Sequence, residues 1–196
     1  MKRLSYFTLL TLISFLSVAF TAVVTVSVDT AASEIVWKGY KVTGEHTGTI
    51  QLKDGQFTYD GDQLTGGQFT IDMTSIKCTD LQGEYAGKLE GHLKSDDFFG
   101  VEKHPTATFK STKVVSRGTP GDYRVTGDLT IKETTKPIRF NVNVDRTSGV
   151  PVATADLTID RSDYNVRYGS GSFFDNLGDK TIYDEFDLSL KIVGRK

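Results

Sequence analysis

Residues 123–144 read YRVTGDLTIKETTKPIRFNVNV. Tyr123, Val125, Gly127, Leu129 and Ile131 alternate with polar or charged residues, and Ile138, Phe140, Val142 and Val144 do the same further on. Successive side chains of a strand point to opposite faces, so this period of two describes strands with one apolar and one wet face.

The pattern extends outward in both directions. Upstream, Val24, Val26 and Val28 form one apolar set, then Ile35 and Trp37, then Phe57 and Tyr59 after the turn signal Asp54-Gly55. Phe69, Ile71 and Met73 follow Gly66-Gly67, and Ala107, Phe109 and Ser111 come next. Downstream, Ala153, Ala155, Leu157 and Ile159 make another face, and Phe186, Leu188, Leu190 and Ile192 close the chain. About eight strands of this kind, joined by Gly- and Asp-rich turns, predict an all-β, antiparallel barrel or sandwich; closure into a barrel removes exposed edges and can leave a cavity.

One region breaks the period. Leu81, Tyr85, Leu89 and Leu93 recur every four residues with Ala86 beside them, which predicts an amphipathic helix inserted at about 79–99. Thr79 or Asp80 is the expected N-cap. Asp96 or Asp97 starts a second short turn carrying Phe98 and Phe99, and His104-Pro105 ends the helical stretch.

The N-terminus carries Lys2 and Arg3, then an uncharged stretch from Leu4 to Val28 that is densest in apolar residues between Leu9 and Phe20. This is the pattern of a secretory signal over residues 1–22, cut near Ala22 or later at Ala32, with an uncleaved membrane anchor as the alternative. The barrel domain is then 23–196, and the expected location is the periplasm or another exported compartment. Cys78 is the single cysteine, so stability comes from the core with no internal disulfide. A buried or incidental thiol is the simpler reading of it, a reactive one the alternative.

Formal net charge is −2 with both signs interspersed, which leaves no basic footprint for nucleic acid. His46, His92 and His104 lack the close spacing of a helical zinc motif, so no metal site is expected. There is no Gly-x-Ser-x-Gly elbow, and Gly169-Ser170-Gly171-Ser172 has loop composition. No catalytic residue is assigned. What stands out is 12 Phe and 8 Tyr, including the adjacent pairs Phe98-Phe99 and Phe173-Phe174. These rings either line a pocket under a helical lid or plug the barrel ends.

Taken together these motifs resemble the YceI-like family, also called polyisoprenoid-binding or lipid-binding periplasmic proteins. The carriers are Trp37 with His46-Thr47-Gly48; Gly67 to Met73; Leu89 to Phe99; His104 to Phe109; Gly127 to Lys132; and Ile159 to Tyr164. The resemblance implies an extended eight-stranded lipocalin-like barrel with an interior tunnel for an isoprenoid or acyl chain. Glu133 stands where the family usually has glycine, and Tyr164-Asn165 replaces a common Phe-Gly.

On that footing the expected function is non-catalytic binding or carriage of a long apolar lipid: a polyisoprenoid, an isoprenoid quinone or a fatty-acyl chain. No other cofactor is expected. Trp37, Phe69, Ile71, Met73, Phe109, Leu129 and Phe140 would line the tunnel, with Phe98 and Phe99 near its mouth. His46 is the first polar anchor, or a hydrogen-bonded structural histidine. Arg161 is a second anchor suited to a phosphate head, or a partner of neighbouring strands and turns. Membrane contact, through the N-terminal segment or during ligand exchange, and a homodimer complete the expected partners. The competing expectation is a filled barrel that acts as an envelope interaction or stress protein with no lipid, since parity says inward and not hollow.

Overall fold

The computed structural model describes residues 22–196, so the expected signal or anchor lies outside the described residues but for Ala22. Eight antiparallel strands close in chain order into one barrel: β1 (Val23–Lys41), β2 (Gly44–Asp60), β3 (Gln63–Cys78), β4 (Thr106–Ser116), β5 (Asp122–Ile131), β6 (Thr134–Asp145), β7 (Val152–Asp160) and β8 (Ile182–Gly194). One helix, α1 (Gly83–Lys94), is inserted between β3 and β4 and packs on the end of β3. No helix among the described residues is long and apolar enough to cross a membrane.

The first strands are longer than the alternation suggests. Val24–Val28 and Ile35–Trp37 belong to one strand, whose ladder with β2 slips between Ser27 and Ile35. Asp29 makes the slip: its carboxylate accepts from the amides of Ala31 (3.1 Å) and Ala32 (3.2 Å), and its carbonyl accepts from the Ser33 hydroxyl (2.7 Å). Asp54-Gly55 is not a turn. It lies within β2 beside a shift of register between Leu52 and Asp54, with Gly55 opposite Phe69. A Cβ there would sit 2.6 Å from the Phe69 ring, so glycine is needed for close approach and not for reversal of the chain.

The helix also starts later than expected. Gln82 is its N-cap and makes no side-chain capping bond. Asp80 is diverted across the barrel end, where it accepts from His46 (2.9 Å), the Thr47 amide (3.1 Å) and the Cys78 thiol (3.1 Å). Leu81 therefore precedes the helix, and Tyr85 on its first turn is 73% exposed; Ala86, Leu89 and Leu93 form the half-buried face.

Inward side chains form two clusters stacked along the barrel. Val28, Phe57, Tyr59, Tyr123, Val144 and Ile192 anchor the end near the chain's start. Met73, Ile76, Leu129, Ile131, Ile159 and Tyr164 anchor the end under α1. Phenylalanine rings connect the walls: Phe57–Phe69 at 5.4 Å, Phe69–Phe109 at 6.5 Å and Phe109–Phe140 at 5.5 Å between centroids.

Candidate functional site: the barrel interior

An eight-stranded barrel can be filled or can hold a small ligand, depending on what its inward positions carry. Here large rings are laid against the wall. Trp37 lies over Gly48, Phe69 over Gly55 and Gly67, and Phe109 over Gly127; a Cβ at any of these glycines would strike the covering ring. Rings placed over glycine take up wall space and leave the centre open. A cavity of about 380 Å³ runs through the interior, within the size range of small-molecule sites. Its lining is overwhelmingly apolar.

All eleven residues singled out from the sequence stand on this lining: Trp37, His46, Phe69, Ile71, Met73, Phe98, Phe99, Phe109, Leu129, Phe140 and Arg161. Phe98 and Phe99 both reach it because residues 96–99 form a turn, not a strand, and their rings meet edge-on at 4.9 Å. Phe173 and Phe174 do not contribute. They sit in the loop after Ser172, 38% and 50% exposed, with the Arg167 guanidinium 4.8 Å from the Phe173 centroid.

The two proposed polar anchors differ in what they have left to offer. Arg161 is 2% exposed in a 3₁₀ turn (Arg161–Tyr164) that follows β7. Its guanidinium donates to the carbonyls of Tyr183 (3.2 Å), Val166 (2.8 Å) and Ile182 (3.0 Å), and pairs with Asp184 at 3.1 Å. Asp184 in turn accepts from Ser170 (2.9 Å) and Ser172 (2.7 Å), which buries Ser170 completely. Of its two candidate roles, Arg161 fills the structural one: it ties β7, β8 and the 165–181 loop together.

His46 stands at the rim, its side chain 25% exposed, with Nδ1 on Asp80. A carboxylate accepts only, so Nδ1 carries the proton in this contact and the Nε2 side of the ring faces away from Asp80. Burial works against the Asp80 charge, but the bonds from His46, Cys78 and the Thr47 amide prevail and bring its pKa down to about 2. Burial and the bond to Asp80 both push the Cys78 thiol up, so it is not an activated nucleophile. No cluster of three metal-ligating side chains occurs among the described residues.

Sequence reasoning passed over His92. It lies on α1 at the cavity end, edge-on to Tyr168 (4.3 Å) and Phe98 (5.6 Å), and burial holds its pKa below the ordinary value. It also left out of the site the β7 set Ala153, Ala155, Leu157 and Ile159 and the β8 set Phe186, Leu188, Leu190 and Ile192, all of which line the cavity. The signal was present in their alternation.

Both departures from the expected family pattern are absorbed. The β5–β6 turn places Lys132 in the left-handed region (φ 55°), so Glu133 needs no glycine conformation. Asn165 takes φ 59°, and asparagine is the side chain that best tolerates this region after glycine.

A closed antiparallel barrel around an apolar bore, capped at one end by a helix, is a lipocalin-like barrel. The chain belongs to the YceI-like domain family, which it matches over residues 27–194. A UPF0312 protein of Photorhabdus laumondii is 37% identical over 97 residues, 50% of this chain and 47% of that one, so the match spans about half the relative's length. Burkholderia cenocepacia BcnA superposes with a TM-score of 0.71 at 26% identity, over 86% of this chain and 99% of BcnA. A polyisoprenoid binding domain from Saccharophagus degradans, implicated in plant cell wall breakdown, gives 0.65 at 19% identity over 86% and 97% of the two chains, a likeness of fold alone.

Proposed function

We propose that this protein is an exported carrier that binds, without transforming it, a long apolar lipid: a polyisoprenoid, an isoprenoid quinone or a fatty-acyl chain. The observation that carries the reading is the continuous apolar bore between Phe57 and Phe98–Phe99. Each methylene moved from water into such a bore contributes about 0.8 kcal/mol, so ten give roughly 8 kcal/mol before the cost of ordering the chain. The polar end of the ligand lies at the rim, beside the His46 ring. The Saccharophagus domain, which shares the fold, is described as polyisoprenoid-binding, and this supports the chain-shaped ligand.

The test is titration with cis-parinaric acid, an intrinsically fluorescent acyl chain, alongside native mass spectrometry of protein purified from its own host. Saturable one-to-one binding and a co-purifying lipid mass are expected. Absence of any lipid mass together with no fluorescence change up to the probe's solubility would leave a filled interaction barrel as the function.

A further inference from the structure

The barrel wall is unequal in one place. β5 and β6 are joined by ten ladder pairs and β7 and β8 by nine, so each pair is zipped along almost its whole length. Between them, β6 (12 residues) and β7 (9 residues) share only three: Asn143 with Thr154, Val144 with Ala153 and Asp145 with Val152. From Val142 on β6 and Ala155 on β7 to the α1 end, no further ladder pair joins these strands among the described residues.

This gap is bounded at both ends. Below it lies the three-pair ladder; above it the 3₁₀ turn packs against β6, and Lys136 stands 3.9 Å from Asp163. The inward β7 residues beside its lower end are small, Ala153 and Ala155, and larger side chains, Ile138 and Phe140 on β6 and Leu157 and Ile159 on β7, line it further up. A groove on the outer surface meets the gap at this level. Val142, Thr154, Ala155 and Leu190 border both that groove and the interior cavity. The wall here is therefore one residue thick and has no backbone ladder across it.

Backbone groups left out of a ladder must find water or side-chain partners, so an unpaired stretch in an otherwise closed barrel is an exposed edge. Separating β6 from β7 above Asn143 breaks no ladder bond, whereas parting β5 from β6 or β7 from β8 breaks several. We propose that the slot between β6 and β7 is a side portal of the tunnel, through which a chain-shaped lipid passes laterally, so that it need not be threaded end-on past α1. The portal rests on the lipid-carrier reading above and adds a route to it.

Asn141 and Asp156 are exposed and flank the slot, so they can be bridged from outside. The double variant Asn141→Cys/Asp156→Cys, built with Cys78→Ser so that no other thiol reacts, is joined with a short cleavable bis-maleimide. Stopped-flow uptake and release of cis-parinaric acid are then compared for the bridged, cleaved and unbridged forms. Bridging is expected to slow both rates at least tenfold and equally, leaving Kd unchanged, and cleavage to restore them. Unchanged rates in a bridged protein that still binds the probe overturn the portal and leave the carrier reading intact. A wild-type protein that never binds the probe overturns the carrier reading, and the portal falls with it.

Discussion

The Trp37 indole lies over Gly48, the residue facing it in the β1–β2 ladder, and its Nε1 donates to the carbonyl of Thr49 at 3.2 Å. A Cβ at position 48 would overlap both this ring and the Lys77 carbonyl oxygen. The carbonyl belongs to the β3 backbone and cannot swing away as a side chain could. Gly48→Ala is therefore expected to destabilise the barrel by about 2 kcal/mol, within the range for overpacked sites. Urea denaturation measures this. Adding Trp37→Ala should not recover the loss, because the Lys77 clash remains; full recovery would mean that the ring alone sets the constraint.

Arg161 holds three carbonyls and Asp184 in a site that is 97% closed around its side chain. Arg161→Met leaves the partly buried Asp184 carboxylate without its cation and three carbonyls without their donor. A loss of roughly 3–5 kcal/mol is expected, the range for breaking a buried pair from one side. Arg161→Lys should recover little of it, since one ammonium cannot reproduce the planar fork. Equal stability of Arg161→Lys and wild type in guanidinium denaturation would remove the hub role.

Asp80 makes stability depend on acid. Its carboxyl titrates at about 2 in the fold, below the ordinary 3.8. The unfolded chain therefore takes up the proton first as pH falls. The contribution is complete above about pH 4 and is lost as pH drops toward 2. The site is partly solvated, so screening reduces the effect. Urea midpoints measured from pH 5 to pH 2 should fall more steeply for wild type than for Asp80→Asn. Parallel slopes for the two proteins would show that the network around Asp80 is not linked to folding.

Why the tunnel could be read from the sequence while its slot could not is a matter of what each leaves in the residues. Phe69, Ile71 and Met73 alternate because the two faces of β3 meet different media, and alternation is all that is needed to assign a wall. Ile138 and Phe140 would look the same whether β6 were paired to β7 or not, because backbone pairing carries no side-chain signature. The stripe from Leu81 to Leu93 misled for another reason. Periodicity counts Tyr85 as apolar, but Asp80 is engaged by His46 and Thr47, so the helix starts at Gly83 and its first turn lies outside the barrel's reach. The cross-strand glycine-under-ring pairs were equally hidden: Gly55 and Phe69 are fourteen positions apart and meet only through the β2–β3 register.

Whether the bore is open or filled decides between a carrier and an interaction barrel, and added volume separates the two. Leu157 lines the cavity from β7, is only half-buried and lies opposite Leu188. In a filled core, Leu157→Trp would force side chains off their rotamers and cost about 1–3 kcal/mol. In an open bore the indole occupies space that no atom holds, so stability should change by less than about 1 kcal/mol or rise as apolar surface is covered. The same ring obstructs the chain path, so affinity for cis-parinaric acid should fall at least tenfold. Both measurements use one variant: urea denaturation for stability and fluorescence titration for binding. A large loss of stability would indicate a filled barrel at this level. Unchanged stability with unchanged affinity would place the ligand away from the β7 wall, and with it the path toward the slot between β6 and β7.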